Sequence, residues 1–218
     1  MHVVIAGGHG KIALILERLL SARGDSVAGF IRNPAQVGDL EAAGATALVV
    51  DLEKASVDEV AGHLRGADAV VFAAGAGPGS GAARKETVDR DAAILLADAA
   101  EAAGVERYVM ISAMGADPQA TADDEVFQAY LRAKGVADEN IRARSALKWT
   151  IVRPGRLTDD APTGLVKIAD STGPGSIPRA DVAAVLAAVL DEPRAAGQSF
   201  DVISGGTPIA EAVAALVR

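Results

Sequence analysis

The sequence contains no cysteine. That excludes disulfides, a thiolate nucleophile, and zinc or iron–sulfur sites built on thiolates. Its three histidines, His2, His9 and His63, are far apart, so no histidine-based metal site is expected. Aromatic residues are 3% of the 218-residue chain, which leaves few rings to stack on single-stranded nucleic acid. A basic excess is missing too. Lys and Arg total 21 against 29 Asp and Glu, a formal charge of −8, the wrong sign for coating DNA or RNA. No apolar run approaches the roughly 20 residues that cross a bilayer, so no membrane partner is expected. The opening stretch MHVVIAGGHG has no basic flank and reads as a strand rather than a signal peptide. A cytoplasmic location is the expectation.

Hydrophobic residues make up 50% of the chain, and its length suits one domain over residues 1–218. Short β-branched runs alternate with Ala-rich helical stretches. Strands are expected at His2–Ala6, Ser26–Ile31, Ala47–Val50, Ala69–Ala73, Arg107–Ile111, Trp149–Val152 and Ser199–Ile203. Runs such as Val3-Val4-Ile5 and Tyr108-Val109-Met110-Ile111 are apolar on both faces, as parallel strands covered by helices should be. Lys11–Ala22 carries Ile12, Ile15, Leu16, Leu19 and Leu20 at helical spacing. Asn33-Pro34 and Ser56-Val57-Asp58-Glu59 read as helix starts. Longer helices are expected over Thr87–Ala103 and Asp123–Ser145, the second with Phe127, Leu131 and Ile141 as a core stripe. Gly24, Gly44, Gly66 and Gly104 stand where helices stop. The alternation implies an α/β fold with a doubly wound, mostly parallel sheet. Two segments break it. Gly75–Gly81 reads as a Gly-rich loop, and Pro154–Pro178 as an irregular, lid-like region over the carboxyl ends of the strands.

Val3 to Ala13 is a strand, a glycine turn and a helix start, with the spacing Gly7-x-x-Gly10-x-x-Ala13. A side chain at Gly7 would block the bend, and one at Gly10 would hold a diphosphate off the backbone amides. A small Ala13 lets the helix approach the strand. The amides of Gly8, His9, Lys11 and Ile12 and the positive helix end then face the phosphates. The competing reading is an ordinary tight turn. About 20 residues further on, an NAD site places an acid for the ribose 2′-hydroxyl. Here Arg32 and Asn33 stand there. A guanidinium cannot accept that hydrogen bond but can clamp a 2′-phosphate, so NADP(H) is expected over NAD(H). A solvated surface arginine is the alternative. Asp51 and Leu52 end the third strand beside the adenine, and Ala73, Ala74 and Gly75 let the fourth lie against the cofactor.

These residues, with Ser112, Tyr130-Leu131-Arg132-Ala133-Lys134, Val152-Arg153-Pro154-Gly155 and Ile177–Ala183, resemble an atypical short-chain dehydrogenase/reductase. More closely, the chain is similar to the small NAD(P)H-binding proteins of the NAD-dependent epimerase/dehydratase-like group. The resemblance implies a Rossmann fold, NADP(H) and a catalytic set of Ser112, Tyr130 and Lys134, with Lys134 also holding the nicotinamide ribose. Tyr130 and Lys134 are four apart and share a helical face. A nearby ammonium would favour the phenolate of Tyr130, which could then exchange a proton with a carbonyl or hydroxyl. The resemblance matches Asp89 to the family's asparagine, and Asp91 is the other candidate. The bland alternatives are Tyr130 at the core edge and Lys134 as a solvated charge. Arg153 is read as facing a substrate or bracing the lid.

The expected function is an oxidoreductase acting on a small carbonyl or quinone compound, as a monomer or small homo-oligomer. The alternatives are a sugar-nucleotide epimerase or dehydratase, and a non-catalytic NADP(H) redox sensor.

Overall fold

A computed structural model describes residues 1–77 and 79–216. The chain forms β1 (His2–Ala6), α1 (Lys11–Ala22), β2 (Ser26–Ile31), α2 (Val37–Ala42), β3 (Thr46–Val49), α3 (Val57–Leu64) and β4 (Ala69–Phe72). There follow a short α4 (Ala82–Arg84), a π-helix (Lys85–Asp91), α5 (Ala92–Ala103), β5 (Arg107–Ile111), α6 (Glu125–Arg142) and β6 (Lys148–Pro154). The last third holds β7 (Arg156–Thr158), β8 (Leu165–Ala169), β9 (Ser176–Pro178), α7 (Arg179–Asp191), β10 (Gln198–Ser204), β11 (Thr207–Pro208) and α8 (Ile209–Ala214).

The main sheet has the order β11-β8-β10-β6-β5-β4-β1-β2-β3. The pairs from β10 through β3 are all parallel. This is the doubly wound α/β architecture read from the sequence. Its two faces explain the unbroken apolar runs. Val3 and Ile5 pack with α1 and α7, whereas Val4 and Ala6 pack with α3 and α5. Helix starts follow local chemistry. Ser56 accepts from the Glu59 amide at 3.2 Å, Asp124 from the Phe127 amide at 2.6 Å, and Asn33 from the Ala35 amide at 3.0 Å. Gly24, Gly44, Gly66 and Gly104 all have positive φ, the left-handed stop expected of them. No helix among the described residues is long and apolar enough to cross a membrane.

Four readings need correction. Pro154–Pro178 is not an irregular excursion: β7 and β9 pair with each other, and β8 joins the main sheet antiparallel to β10. The pairing is tertiary and leaves no local periodicity. Where β7 departs, a Cβ on Gly155 would lie 2.5 Å from the Gly175 oxygen, so the two glycines let the backbones touch. The expected helix over Thr87–Ala103 begins at Ala82 and runs as a π-helix through Asp91. Phe127 is 51% exposed and leaves the core stripe to Leu131 and Ile141. The helix carrying them runs over 125–142 rather than 123–145.

From β1 the chain winds outward to β3, then crosses to β4 on the other side of β1. The reversal opens a crevice at the carboxyl ends of the strands.

Candidate active site

That crevice is a cleft of about 270 Å³. Gly7, His9 and Gly10 line it together with Arg32, Asp51, Leu52 and Glu53 at the ends of β2 and β3, with Ala73, Ala74 and Gly75 after β4, and with Arg84. Gly7 has φ +81°, and a Cβ there would lie 2.6 Å from the Ala74 Cα. At Gly10 the atoms nearest to a Cβ would be the Gly7 oxygen at 3.1 Å, the Ala73 oxygen and the Ala13 Cβ. Helix α1 starts at Lys11 with no side-chain cap on Gly10, so its first-turn amides and positive end are left for an anion. These residues fit a dinucleotide diphosphate.

A Gly7→Ala variant tests this cradle. The added methyl would meet backbone, at a φ that costs alanine about 1–3 kcal/mol. The expected result is at least a tenfold rise in the Kd for NADPH, together with a lower melting temperature. Unchanged affinity in a folded variant would exclude the turn from the site.

The other expected contacts divide. Gly8 is buried and its amide donates to the Phe30 oxygen at 3.0 Å, so it anchors the turn to β2 rather than offering an amide to the cleft. Ile12 is core. Lys11 extends outward to Asp159, 2.6 Å away. Asn33 caps the turn after β2 rather than facing the cleft. His9 is fixed by Asp39 at 2.8 Å and Gln36 at 3.0 Å. Arg32 is half-exposed at the cleft mouth, 3.3 Å from Glu53. Asp51 pairs with Lys54 at 3.2 Å. Burial works against its ionisation, but Lys54 and the Glu53 amide outweigh it and hold the carboxyl low.

Beyond Gly75, the residues assigned to chemistry gather under α6. The buried Lys134 ammonium lies 3.3 Å from Asp89 and donates to the Ile111 oxygen at 3.1 Å and the Ala74 oxygen at 3.4 Å. Asp89 also accepts from the Ala76 amide at 3.2 Å. The π-helix turns Asp89 inward, whereas Asp91 pairs with Arg90 at 2.6 Å. Tyr130 lies between the Phe127 ring, 6.1 Å away, and the Lys85 ammonium, 5.5 Å from its centroid. Burial, then the carboxylates of Asp89 and Asp138, push its phenol upward. Ser112 is buried at the end of β5, and its hydroxyl has no hydrogen-bond partner among the described residues.

Asp138, Arg153, Lys85, Glu53 and Arg84 complete the surroundings. Burial raises the Asp138 carboxyl, opposed by the Ser112 hydroxyl and Arg153. Although Ser112 acts on that carboxyl, the pair falls short of hydrogen-bond geometry. Arg153 donates to Asp138 at 2.6 and 2.9 Å, so it braces α6 against β6. Sequence reading missed Asp138, although Tyr130, Lys134 and Asp138 repeat at four-residue steps along one helical face. Arg84 and Glu53 carried no sequence signal.

A glycine turn that opens an uncapped helix at the switch point of a doubly wound sheet defines a nucleotide-binding protein. The chain belongs to the NAD(P)H-binding family, whose pattern spans residues 7–193. It is 38% identical over 214 residues to the Bacillus subtilis protein YhfK, named an uncharacterized sugar epimerase, covering 98% of this chain and 99% of YhfK. Among solved structures, it is similar to a Bacillus halodurans protein described as an NAD-dependent epimerase/dehydratase. The TM-score is 0.90 at 36% identity, with 99% of each chain covered. The Lactococcus lactis oxidoreductase ylbE matches with a TM-score of 0.86 and 27% identity, over 99% of this chain and 96% of that one.

Proposed function

We propose that the protein is a reductase that prefers NADP(H) to NAD(H) and acts on a small carbonyl or quinone compound. The observation that carries the cofactor preference is Arg32 at the end of β2, in the wall of the same cleft as Gly7 and Gly10. It stands where a ribose-binding acid would be, and its planar donors suit a phosphate. The amides of His9, Lys11 and Ile12 would hold the diphosphate, those of Gly8 and Gly10 being donated to the Phe30 and Gly7 oxygens, and Ala73, Ala74 and Gly75 would leave room for the cofactor. Lys134 would hold the nicotinamide ribose. When bound in its reduced form, the cofactor supplies hydride to the substrate carbon.

Tyr130 suits the proton donor of the reductive direction. Its hydroxyl stays protonated because burial and two carboxylates disfavour the phenolate. Lys134, the cation that would favour a phenolate, is already paired with Asp89. Tyr130 therefore gives a proton to the substrate oxygen and does not serve as a base at neutral pH. Ser112 would donate to that same oxygen. This supports carbonyl reduction over alcohol oxidation or a base-dependent epimerisation.

The test supplies NADPH or NADH with quinones, dicarbonyls and flavins, and NADP⁺ with nucleotide sugars in a parallel arm. NADPH consumption is expected in the reductive arm, faster than that of NADH. Tyr130→Phe should slow it by about 10²-fold with the Kd for NADPH unchanged. Equal rates in the two proteins would remove Tyr130 from the reaction. Sugar epimerisation without reductive turnover would overturn the reductase reading.

A further inference from the structure

Glu53 sits in the turn after β3 with four donors converging on its carboxylate. Arg84 approaches at 2.7 Å through one terminal nitrogen and at 3.5 Å through Nε. Arg32 lies 3.3 Å away, and the Thr87 hydroxyl donates at 2.7 Å. These donors come from separate parts of the chain: the end of β2, α4 and the π-helix. Arg32, Glu53 and Arg84 all stand in the cleft wall. Arg84 first, then Thr87, hold the Glu53 carboxyl low against a burial effect that would raise it. The neighbouring carboxylate, Asp51, has its own cation in Lys54.

We infer that Arg84 is a second cation of the adenosine 2′-phosphate site, and that Glu53 is the internal anion the phosphate replaces. This rests on the NADP(H) reading above. Two guanidiniums and a hydroxyl facing one carboxylate form a donor set suited to a phosphate monoester, which carries about −1.5 to −2 charges at pH 7 and takes bidentate guanidinium bonds. The carboxylate and the phosphate cannot share those donors without like-charge repulsion. Glu53 lies in a surface turn, where its side chain can rotate to solvent. Cofactor selection is then a competition: the 2′-phosphate must outbid Glu53 for Arg32 and Arg84, and a bare ribose 2′-hydroxyl does not. The Arg84 contribution also ties α4, which follows the Gly-rich loop, to the cofactor's adenosine end.

The experiment measures binding of 2′,5′-ADP and of ADP by titration calorimetry to wild type, Arg84→Ala, Glu53→Gln and Arg32→Ala. Wild type should prefer 2′,5′-ADP. Arg84→Ala should weaken 2′,5′-ADP about tenfold, as loss of a charged hydrogen bond does, with ADP changed less than twofold. Glu53→Gln should tighten 2′,5′-ADP and leave ADP unchanged. If Arg32→Ala erodes the preference and Arg84→Ala does not, the assignment of Arg84 fails while the NADP(H) reading stands. If Glu53→Gln leaves 2′,5′-ADP no tighter, the competition fails on its own. If wild type prefers ADP and Glu53→Gln weakens it, Glu53 is a ribose acceptor and both readings fall.

Discussion

A Lys134→Met variant is expected to lose about 3–5 kcal/mol of stability, the usual cost of stranding one charge of a buried pair. Lys134 and Asp89 are both sealed from solvent, with side-chain exposures of 3% and 0%. Without the ammonium, Asp89 keeps the Ala76 amide as its hydrogen-bond partner. The same ammonium bonds to carbonyls following β4 and at the end of β5, so those strand ends and the π-helix loosen together. Denaturant unfolding at pH 7 should show a lower midpoint with an unchanged slope. Adding Asp89→Leu to Lys134→Met should recover much of the loss, because an apolar pair replaces an orphaned charge. A deficit below about 1 kcal/mol, the range of solvent-screened pairs, would show that water reaches the pair.

The second large effect depends on pH. Glu17 lies on α1 and is fully buried, and neither carboxyl oxygen has a hydrogen-bond partner among the described residues. It fits only because Gly8 and Gly29 have no side chains: a Cβ at either would come within 3.0 and 2.7 Å of Oε1. Burial pushes the carboxyl to about 8, with Arg18 pulling slightly the other way. The folded state therefore prefers the protonated acid. Stability from this group is fully present below the unfolded value near 4.5 and is lost as the pH rises to about 8. Between those limits the loss has a slope of about 1.4 kcal/mol per pH unit. Glu17→Gln removes the ionisation and keeps the shape. Its stability advantage over wild type should grow from pH 5 to pH 8 and then level off, as read from denaturation midpoints across that range. Parallel profiles for the two proteins would mean that Glu17 is solvated or paired in solution.

Much of the frame was legible because local and tertiary demands agree. Val3–Ile5 and Tyr108–Ile111 are apolar on both faces because both faces are covered, and Gly24, Gly44, Gly66 and Gly104 mark helix ends because only a left-handed residue fits there. The glycine turn was legible for the same reason: Gly7 answers to a backbone conformation and Gly10 to the close approach of the Gly7 oxygen. What stayed hidden depends on distant partners. β8 is a strand because β10 offers it an edge. Glu17 is buried because two glycines on other elements leave it room, while Leu19, read as part of the apolar stripe, is 40% exposed. Arg84 reaches the cleft only after a Gly-rich loop folds back. The Tyr130 and Lys134 spacing was legible. Its pairing with Asp89, which denies Tyr130 a free cation, required the inward turn of the π-helix.

That π-helix sets a rule for insertions and deletions. A helix bonded i to i+5 holds more residues per turn than an α-helix, so Lys85–Asp91 contains a surplus relative to its neighbours. Removing one codon there would let the segment wind down to ordinary α-helix. The flanking helices would keep nearly the same phase, because the deleted residue is the one the wide turns had absorbed. The change would fall instead on the inward side chains of the segment, Val88 and Asp89, and on the contact of Asp89 with Lys134. A one-residue deletion in this stretch thus acts on the buried Lys134–Asp89 pair rather than on the helices either side of it.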